Sequence, residues 1–488
     1  MTLIIPNPMS TETHYLAVDL GATSGRTILA TFDGSKVDMR EMTRFKHPMV
    51  PMGGHLYWDL PHLYNEILEG LRKVAAEGIE IQSVGIDTWG VDFAFFGKDG
   101  QPIGLPHCYR DEYTSGEMDR FFAERMPSKQ VYEKTGIQFM EFNSLFQLSA
   151  QRREDSDVLK AADEILFMPD ALTYLLTGEA VCEYTIASTS QILNPVTGDL
   201  DEELLATLGL KRSQFGRLVQ PGEVVGTLSA QAQKATGLGP VKVVAVAGHD
   251  TASAVVSVPA KDAHFAYLSC GTWSLLGIES PKPIITERSF QENFTNEGGI
   301  DGTTRFLKNI CGLWLFERCR DDFYKDPVRF PGAPQGIKEL TALCLESDYD
   351  GIIFPDDELF AHPDSMTAAI CEYCRRTGQK APDTVADYLR CIYRSLALRY
   401  KEVVALLSEM GGFPIDSLNV IGGGSQNPYL MQFAADALGI PVICGPTEGT
   451  ALGNSLVQLR ADGKVGSLPQ MRAISAASVA LKTYFPQK

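Results

Sequence analysis

Apolar and polar positions in the first part of the chain alternate with the periods of strands and of one helix. Residues 15–32 predict a strand, a turn of small residues and a second strand, which is the pattern of a β-hairpin. A third strand is predicted near 36–46, and helical spacing of apolar residues predicts a helix over 60–77 that Gly78 ends. Residues 83–96 predict a further strand, turn and strand. The pattern indicates an α/β fold.

The second half of the chain begins with the same pattern. A run of β-branched residues predicts a buried strand over 241–248, and residues 265–280 predict a strand, a turn and a strand. The remaining predicted elements are helices within 112–180, a helix over about 383–410, a strand over 418–424 that enters a glycine loop, a helix over 427–439, a short strand over 442–444 and a last clear helix over 448–463.

The two hairpins resemble each other at their turns. Residues 19–24 read Asp-Leu-Gly-Ala-Thr-Ser, and residues 269–274 read Ser-Cys-Gly-Thr-Trp-Ser. Similarity at a spacing of half the chain predicts a duplicated lobe rather than a short-period solenoid. Residues 215–241, which are rich in Gly, Gln and Pro, are typical of a linker. We therefore predict two related lobes, 1–240 and 241–488, around a cleft.

Composition excludes several classes of partner. The 488 residues carry a formal charge of −18, and both nucleic acids and anionic membranes are bound through basic patches. No apolar run is long enough for a transmembrane helix, and the N-terminus lacks the basic start and apolar run of a signal peptide, so a cytoplasmic protein is expected. Cys371 and Cys374 form the one C-x-x-C pair, without the further ligands that zinc needs.

The hairpin turns have the residue types that hold phosphate. Small residues let backbone N–H groups approach phosphate oxygens closely, and short hydroxyls add donors. Asp19 precedes the first turn and could hold Mg²⁺, while Arg26 follows the turn and could reach a phosphate. The alternative is a pair of ordinary hairpin turns. The Walker A pattern and the G-x-G-x-x-G pattern are both absent, so a P-loop NTPase and a dinucleotide enzyme are not supported.

A candidate base follows the strand over 241–248. Asp250 is placed where ligands of open α/β sheets bind, and a carboxylate that accepts a proton is what phosphoryl transfer to a hydroxyl needs. The neighbouring His249 could bind a sugar hydroxyl. The alternative for Asp250 is a helix N-cap. The glycine loop 422–424 could admit a nucleotide ring or ribose, or could be a flexible connection.

The first lobe offers a second carboxylate and a sugar surface. Asp87 ends a predicted strand and could face the metal ion. Trp89 offers an apolar face and Gly90 a close backbone approach, although a tryptophan in such a turn is more often part of the core. Arg110 and Asp111 could face the sugar or form a surface ion pair.

Taken together, these segments resemble the FGGY carbohydrate kinases, which have the actin-like ATPase (ribonuclease H-like) fold. The resemblance runs over nearly the whole chain. It rests on nine segments in the same order, which are AVDLGATSGR (17–26), GIDTWGVDF (85–93), GIQFMEFNSLFQL (136–148), EYTIASTSQ (183–191), GHDTASAV (248–255), YLSCGTWSL (267–275), TNEGG (295–299), LKNICGLWL (307–315) and VIGGGSQN (420–427).

The resemblance implies an ATP- and Mg²⁺-dependent kinase of a ketose, with L-rhamnulose phosphorylated at its 1-hydroxyl. It implies Asp250 as the proton acceptor. The implied sugar contacts are Gly90, His249, Asp250, Thr251 and Asn309, the implied ATP contacts are Ala22, Thr23, Ser24, Gly25, Arg26, Thr272, Glu317 and Gly423, and the metal site would use Asp19 and Asp87. The chain departs from the family at Glu317, where members can carry Gln, and at Asp170, where other members often carry Lys.

Several alternatives stay open. The substrate could be another ketose, such as L-fuculose or D-xylulose. A sugar-responsive regulator would need a DNA-binding appendage, and a chaperone-type ATPase would need a peptide-binding domain after the last helix. The chain is expected to be a monomer or a homodimer.

Overall fold

A computed structural model describes residues 12–261, 264–361 and 363–487. The strands are β1 (Thr13–Leu20), β2 (Ser24–Phe32), β3 (Val37–Lys46), β4 (Val50–Met52), β5 (His55–Tyr57), β6 (Ile81–Thr88), β7 (Phe93–Phe96), β8 (Glu164–Phe167), β9 (Val181–Glu183), β10 (Leu193–Asn194), β11 (Asp199–Leu200), β12 (Arg217–Val219), β13 (Val224–Thr227), β14 (Lys242–Val244), β15 (Phe265–Cys270), β16 (Trp273–Ser280), β17 (Thr295–Gly298), β18 (Thr304–Cys311), β19 (Ser417–Ile421), β20 (Val442–Cys444) and β21 (Lys482–Tyr484).

The α-helices are α1 (Leu60–Ala76), α2 (Glu117–Glu124), α3 (Ser128–Thr135), α4 (Ser144–Arg153), α5 (Asp157–Ala161), α6 (Met168–Thr177), α7 (Tyr184–Ala187), α8 (Glu202–Leu208), α9 (Ala230–Thr236), α10 (Asp250–Val256), α11 (Glu287–Gln291), α12 (Trp314–Lys325), α13 (Ile337–Ala342), α14 (Met366–Arg376), α15 (Val385–Gly411), α16 (Pro428–Leu438), α17 (Gly449–Ala461) and α18 (Leu468–Ser478).

Internal contacts divide the chain into two compact units. Unit 1 contains the residues up to Ser257, together with Glu297–Thr303 and Thr450–Val479. Unit 2 contains Val258–Asn296, Thr304–Gly449 and the residues from Ala480 onward. The units are groups of contacts rather than continuous stretches of chain, so the boundary between lobes at 240 and 241 stays a prediction.

Unit 1 is built on a six-stranded sheet in the order β13-β14-β6-β1-β2-β3. Strands β1, β2 and β3 pair antiparallel in succession, whereas β1 pairs parallel with β6 and β6 pairs parallel with β14. This register places Asp19 of β1 opposite Arg26 on one side and Asp87 on the other. The sheet therefore brings two of the predicted carboxylates onto adjacent strands.

Unit 2 repeats this arrangement in a seven-stranded sheet, with the order β17-β18-β16-β15-β19-β20-β21. Strand β15 pairs antiparallel with β16, which pairs antiparallel with β18, and β15, β19 and β20 run parallel. The five strands β18-β16-β15-β19-β20 thus have the order and directions of β3-β2-β1-β6-β14. This repetition confirms the predicted fold class of two related α/β lobes of the actin-like ATPase type.

Helix α1 shows how the sequence specifies a local element. The Asp59 side chain caps it by accepting a hydrogen bond from the backbone N–H of His62, and a proline occupies the first turn. Leu63, Ile67 and Leu71 are fully buried on one face. Burying each such side chain contributes about 1.5–3 kcal/mol. The predicted helix over 60–77 is confirmed.

The long predicted helix over about 383–410 is also confirmed, as α15. A capping box formed by Thr384 and Asp387 starts this helix, and Gly412 ends it in the left-handed region at φ 75°. Its buried residues belong to the large apolar core of unit 2. Within the described ranges, no helix combines the length and apolar character needed to cross a bilayer.

Three predictions about local structure were wrong. The strand over 241–248 ends at Val244, and farther along this segment the backbone O of Gly248 accepts from the N–H of Thr88 at 2.9 Å. Residues 215–241 are not a linker, because they contain β12, β13 and α9, and β13 is the edge strand of the six-stranded sheet of unit 1. Helix α18 was missed, since its small and polar residues give only a weak apolar face.

Candidate functional site

Three carboxylates meet at one end of the sheet of unit 1. Asp19 lies near the end of β1, Asp87 near the end of β6, and Asp250 is the first residue of α10. Burial raises the pKa of Asp87 well above its usual range, and the charges of Asp19 and Asp250 raise this pKa further. The three groups therefore interact electrostatically, as the sequence predicted for a metal-dependent phosphoryl-transfer site.

The two oxygens of the Asp87 carboxylate differ in their hydrogen bonding. Asn454 donates a hydrogen bond to its Oδ2 at 2.6 Å, whereas its buried Oδ1 has no hydrogen-bond partner within the described part of the chain. An unsatisfied buried oxygen is costly, and a hard cation is the ligand that suits it beside a second carboxylate. Asp19 and Asp87 thus fit the Mg²⁺ that was predicted for them. Asn454 belongs to α17, far along the sequence, and was not among the predicted residues.

Arg26 is held by Asp19. Its Nε and Nη2 atoms donate to the Asp19 Oδ2 atom at 3.0 and 2.7 Å. The pairing follows from the register of β1 and β2, in which these two residues lie opposite each other. The predicted contact of Arg26 with ATP stays a prediction, and the ion pair places the guanidinium beside the carboxylate cluster.

Asp250 remains accessible. About 30% of its side chain is exposed, and the Thr251 hydroxyl donates to its Oδ1 atom at 3.1 Å. Partial burial raises its pKa, an effect that the Asp19 charge reinforces and the His249 ring opposes. His249 occupies the N-cap position and Asp250 the first position of α10, so the alternative of an Asp250 N-cap was wrong. A partly exposed carboxylate at a helix start can be reached by a ligand.

His249 connects Asp250 to a buried glutamate. The His249 Nε2 atom lies 3.4 Å from Asp250 Oδ1, and its Nδ1 atom lies 3.2 Å from Glu297 Oε2. Glu297 is buried, with 5% of the residue exposed. Because each ring nitrogen faces one carboxylate, the imidazole is held in one orientation. Sequence reasoning used the segment 295–299 for the resemblance but gave Glu297 no role.

A second missed glutamate fixes the backbone before Asp250. The buried Glu183 accepts hydrogen bonds from the N–H groups of Thr185, Ile186 and Gly248, each at 2.9 Å, and from the Thr185 hydroxyl at 2.7 Å. That hydroxyl oxygen accepts from the N–H of His249 at 3.2 Å. One carboxylate therefore anchors the turn that leads into α10.

Asp170 accepts hydrogen bonds from the backbone of Glu183. Both oxygens of its buried carboxyl group accept from the N–H of Glu183, at 3.2 and 3.1 Å. Burial raises the pKa of Asp170 well above its usual range, and the Glu183 charge adds to the effect. The departure from the family at this position thus has a structural use in this chain.

Trp89 belongs to the core rather than to a sugar surface. It is 4% exposed, its ring lies 4.3 Å from that of Trp58, and both indole N–H groups donate to Asp92 Oδ2. The backbone after Trp89 is strained at Val91, whose φ of 69° is one that a β-branched residue rarely adopts. The predicted sugar contact of Gly90 stays a prediction.

Arg110 and Asp111 do not form a surface ion pair. Asp111 is 7% exposed and caps a short 3₁₀ turn by accepting from the N–H of Tyr113 at 2.9 Å. Arg110 instead donates to the hydroxyl of Tyr109 at 3.1 Å. The alternative in which the two face a sugar stays a prediction.

The first hairpin turn combines an open tip with a packed base. Thr23 at the tip is exposed, whereas Gly25 is buried, and a Cβ atom there would lie 2.4 Å from the ring of Phe45. His47 Nε2 is hydrogen-bonded to the backbone O of Gly21 at 2.7 Å. The backbone is therefore held in place, while the predicted contacts of residues 22–26 with ATP stay predictions.

The second hairpin turn, in unit 2, is held through its carbonyl groups. The backbone O of Thr272 accepts from the N–H groups of Gly312 and Trp314 at 3.2 and 3.1 Å. The Thr272 hydroxyl donates to Glu317 Oε2 at 3.3 Å, so the structure brings these two predicted ATP contacts together. Asn309 lies on β18 opposite Leu275, and its role stays a prediction.

The three glycines at 422–424 differ in backbone conformation and in the space around their α-carbons. Gly422 has a φ of 84°, which favours glycine, and a Cβ atom at Gly424 would lie 2.3 Å from Cys270 Sγ. A Cβ atom at Gly423 would have no neighbour within 4 Å. Gly423 is thus the one of the three whose α-carbon faces open space, as a nucleotide contact requires.

We expect Gly424→Ala to change the stability of the protein and Gly423→Ala to change its KM for ATP. The first should lower the free energy of unfolding by about 1–3 kcal/mol, because the added methyl group overlaps Cys270. The second should unfold like the parent protein and raise KM for ATP several-fold. Thermal unfolding and ATP titrations of the two variants check this. Equal melting temperatures for the two variants would contradict the packing argument.

Comparisons with known proteins identify the family. The N-terminal domain of the FGGY family of carbohydrate kinases matches residues 14–257, and the C-terminal domain matches residues 266–461. A rhamnulokinase of Bacteroides thetaiotaomicron is 51% identical over 97% of this chain and 96% of its own length. A rhamnulokinase of Pectobacterium carotovorum is 44% identical over 97% of this chain and 93% of its own length.

Solved structures share the fold at low sequence identity. A gluconate kinase from Lactobacillus acidophilus superposes with a TM-score of 0.81 at 16% identity, over 98% of this chain and 94% of that chain. A xylulose kinase from the same organism superposes with a TM-score of 0.80 at 17% identity, over 97% and 94% of the two chains. The domain matches, the full-length relatives and the shared fold agree, and the chain belongs to the FGGY family of carbohydrate kinases.

Proposed function

We propose that this protein transfers the terminal phosphoryl group of ATP to the 1-hydroxyl of L-rhamnulose, giving L-rhamnulose 1-phosphate and ADP in the breakdown of L-rhamnose. The observation that carries the proposal is the 51% identity, over 97% of the chain, to a protein named rhamnulokinase. The carboxylate cluster supports the chemistry, because phosphoryl transfer is catalysed mainly by positioning and by charge stabilisation.

Asp250 is the proton acceptor in this proposal. Its carboxylate takes the proton of the sugar hydroxyl as the new phosphorus–oxygen bond forms, and the bond to the leaving ADP breaks. The contacts of His249 with Asp250 and Glu297 support an orienting role for the imidazole. The raised pKa of Asp250 makes its carboxylate a stronger base than an ordinary aspartate, which helps proton transfer.

Asp19 and Asp87 would hold Mg²⁺, and Arg26 would steady Asp19. When bound, the cation supplies charge neutralisation for the phosphate oxygens. The residues themselves contribute a fixed, buried acceptor at Asp87 and an ion-paired one at Asp19. The residues proposed to contact ATP are 22–26, Thr272, Glu317 and Gly423. The residues proposed to contact the sugar are Gly90, Thr251 and Asn309.

A panel of sugars tests the substrate. ADP formation is measured with ATP and Mg²⁺ against L-rhamnulose, L-fuculose, L-ribulose and D-xylulose, and the position of the phosphate in the product is read by NMR. We expect kcat/KM for L-rhamnulose to exceed the others by at least about tenfold, since a hydroxyl that loses its partner is rejected strongly. Preference for another ketose would keep the kinase and reject the substrate. ATP hydrolysis that is independent of every sugar would reject both.

A further inference from the structure

Two histidines and an aspartate of unit 1 form a cluster that the carboxylate site does not use. His55 lies on β5, His107 precedes a turn, and Asp111 caps the 3₁₀ turn that follows. A ligand atom from each residue lies within 4.8 Å of those from the other two. The three belong to neighbouring backbone segments, because residue 57 forms an isolated β-bridge with His107. The cluster is therefore fixed by the fold.

Two of the three distances between ligand atoms are close to those of a small cation with nitrogen and oxygen ligands. The Nδ1 atom of His55 lies 3.3 Å from Asp111 Oδ2, and the Nδ1 atom of His107 lies 4.0 Å from the same oxygen. Two ligands about 2.0–2.1 Å from a tetrahedral zinc ion stand roughly 3.3–3.4 Å apart. The first pair already has this spacing, and the second reaches it with a shift below about 1 Å.

The His107 ring has a nitrogen that the protein does not satisfy. Its Nδ1 atom is buried and has no hydrogen-bond partner among the residues that the structure describes, although it lies 4.0 Å from Asp111 Oδ2. A buried nitrogen without a partner is unfavourable unless a ligand occupies it.

The surroundings orient the three ligands. Asp111 accepts from the N–H of Tyr113 at 2.9 Å and from the N–H of Leu56. The ring of His107 lies 4.5 Å from that of Tyr113 and 4.6 Å from that of Tyr57. Because such side chains are already fixed, they lose less conformational entropy when a metal ion binds.

We propose that His55, His107 and Asp111 form a Zn²⁺ site that joins the β4–β5 hairpin to the 107–111 turn. Imidazole nitrogens favour zinc over Mg²⁺ or Ca²⁺, which prefer oxygen ligands. Three protein ligands leave one coordination position that water can occupy. The site binds an ion that links two backbone segments.

The test is zinc binding to the full-length protein after removal of metals with a chelator. Calorimetric titration with Zn²⁺ is performed in millimolar Mg²⁺, which competes for sites made only of carboxylates. The parent protein should bind one more equivalent than His55→Ala or His107→Ala, or should bind at least about 100-fold more tightly than either. Zinc should also raise the melting temperature of the parent protein and not that of the two variants.

His264→Ala is the matched control. His264, in unit 2, is exposed and lies 3.7 Å from Asp416, so this variant removes the histidine of a histidine–aspartate pair outside the proposed cluster. This variant should bind zinc like the parent protein. Equal zinc affinity and stoichiometry in the parent, His55→Ala and His107→Ala would overturn the proposal, as would an equal loss in His264→Ala. If His107→Ala does not fold, His55→Ala decides the question, because His55 is the more exposed of the two.

Discussion

Replacing Asp250 with Asn is expected to lower kcat by about 10²–10⁴-fold, with KM for the sugar changed only a few-fold. This is the contribution that a positioned general base usually makes. The amide keeps the size of the side chain and an oxygen that can accept from the Thr251 hydroxyl, but it cannot take a proton from the substrate. Initial rates at saturating ATP, together with calorimetric binding of the sugar, measure the two effects separately.

The control for this substitution is Asp416→Asn, which removes one carboxylate from an exposed position in unit 2. Its kcat should equal that of the parent protein. A kcat for Asp250→Asn within about threefold of the parent value would remove Asp250 from the role of base. Loss of sugar binding together with turnover would instead assign Asp250 to substrate binding.

The sequence predicted the elements with strong local signals. The hairpin turns, helix α1 and helix α15 depend on neighbouring residues, such as the Asp59 cap and the left-handed Gly412, and their bounds agree with prediction to within a few residues. The similarity of the two turns also predicted two related lobes, and the repeated strand order of the units agrees with that prediction. Short-range patterns and internal similarity predicted two related α/β lobes, and the resemblance to the FGGY kinases supplied the actin-like ATPase fold.

The supporting residues of the candidate site could not be predicted in the same way. Glu183, Glu297 and Asn454 act on residues that are distant in the sequence, and an isolated glutamate or asparagine carries no local sign of burial. The strand over 241–248 was predicted too long for a related reason. Its last residues are apolar because they are buried, while the hydrogen bonds of Gly248 go to Glu183 and Thr88.

Glu183→Ala is expected to give the largest loss of stability among single changes near the site, about 3–5 kcal/mol in the free energy of unfolding. The substitution leaves the N–H groups of Thr185, Ile186 and Gly248 buried without an acceptor, and each such group costs about 1–3 kcal/mol. Asp170 would also lose the charged neighbour that raises its pKa, which offsets part of this cost. Denaturant unfolding at pH 7 measures the change.

The same substitution should lower kcat even where the protein remains folded, because Glu183 fixes the backbone of Gly248 and, through Thr185, that of His249. Glu183→Gln should fall between the parent and Glu183→Ala in both stability and kcat, since its amide oxygen can replace part of the acceptor set. Glu179→Ala, four residues earlier and exposed, is the control and should change neither quantity. Glu183→Ala could instead lose stability but keep the parent kcat at a temperature where it is folded. The turn before Asp250 would then not need this anchor. The position of the base would be set by α10 and its contacts with His249 alone.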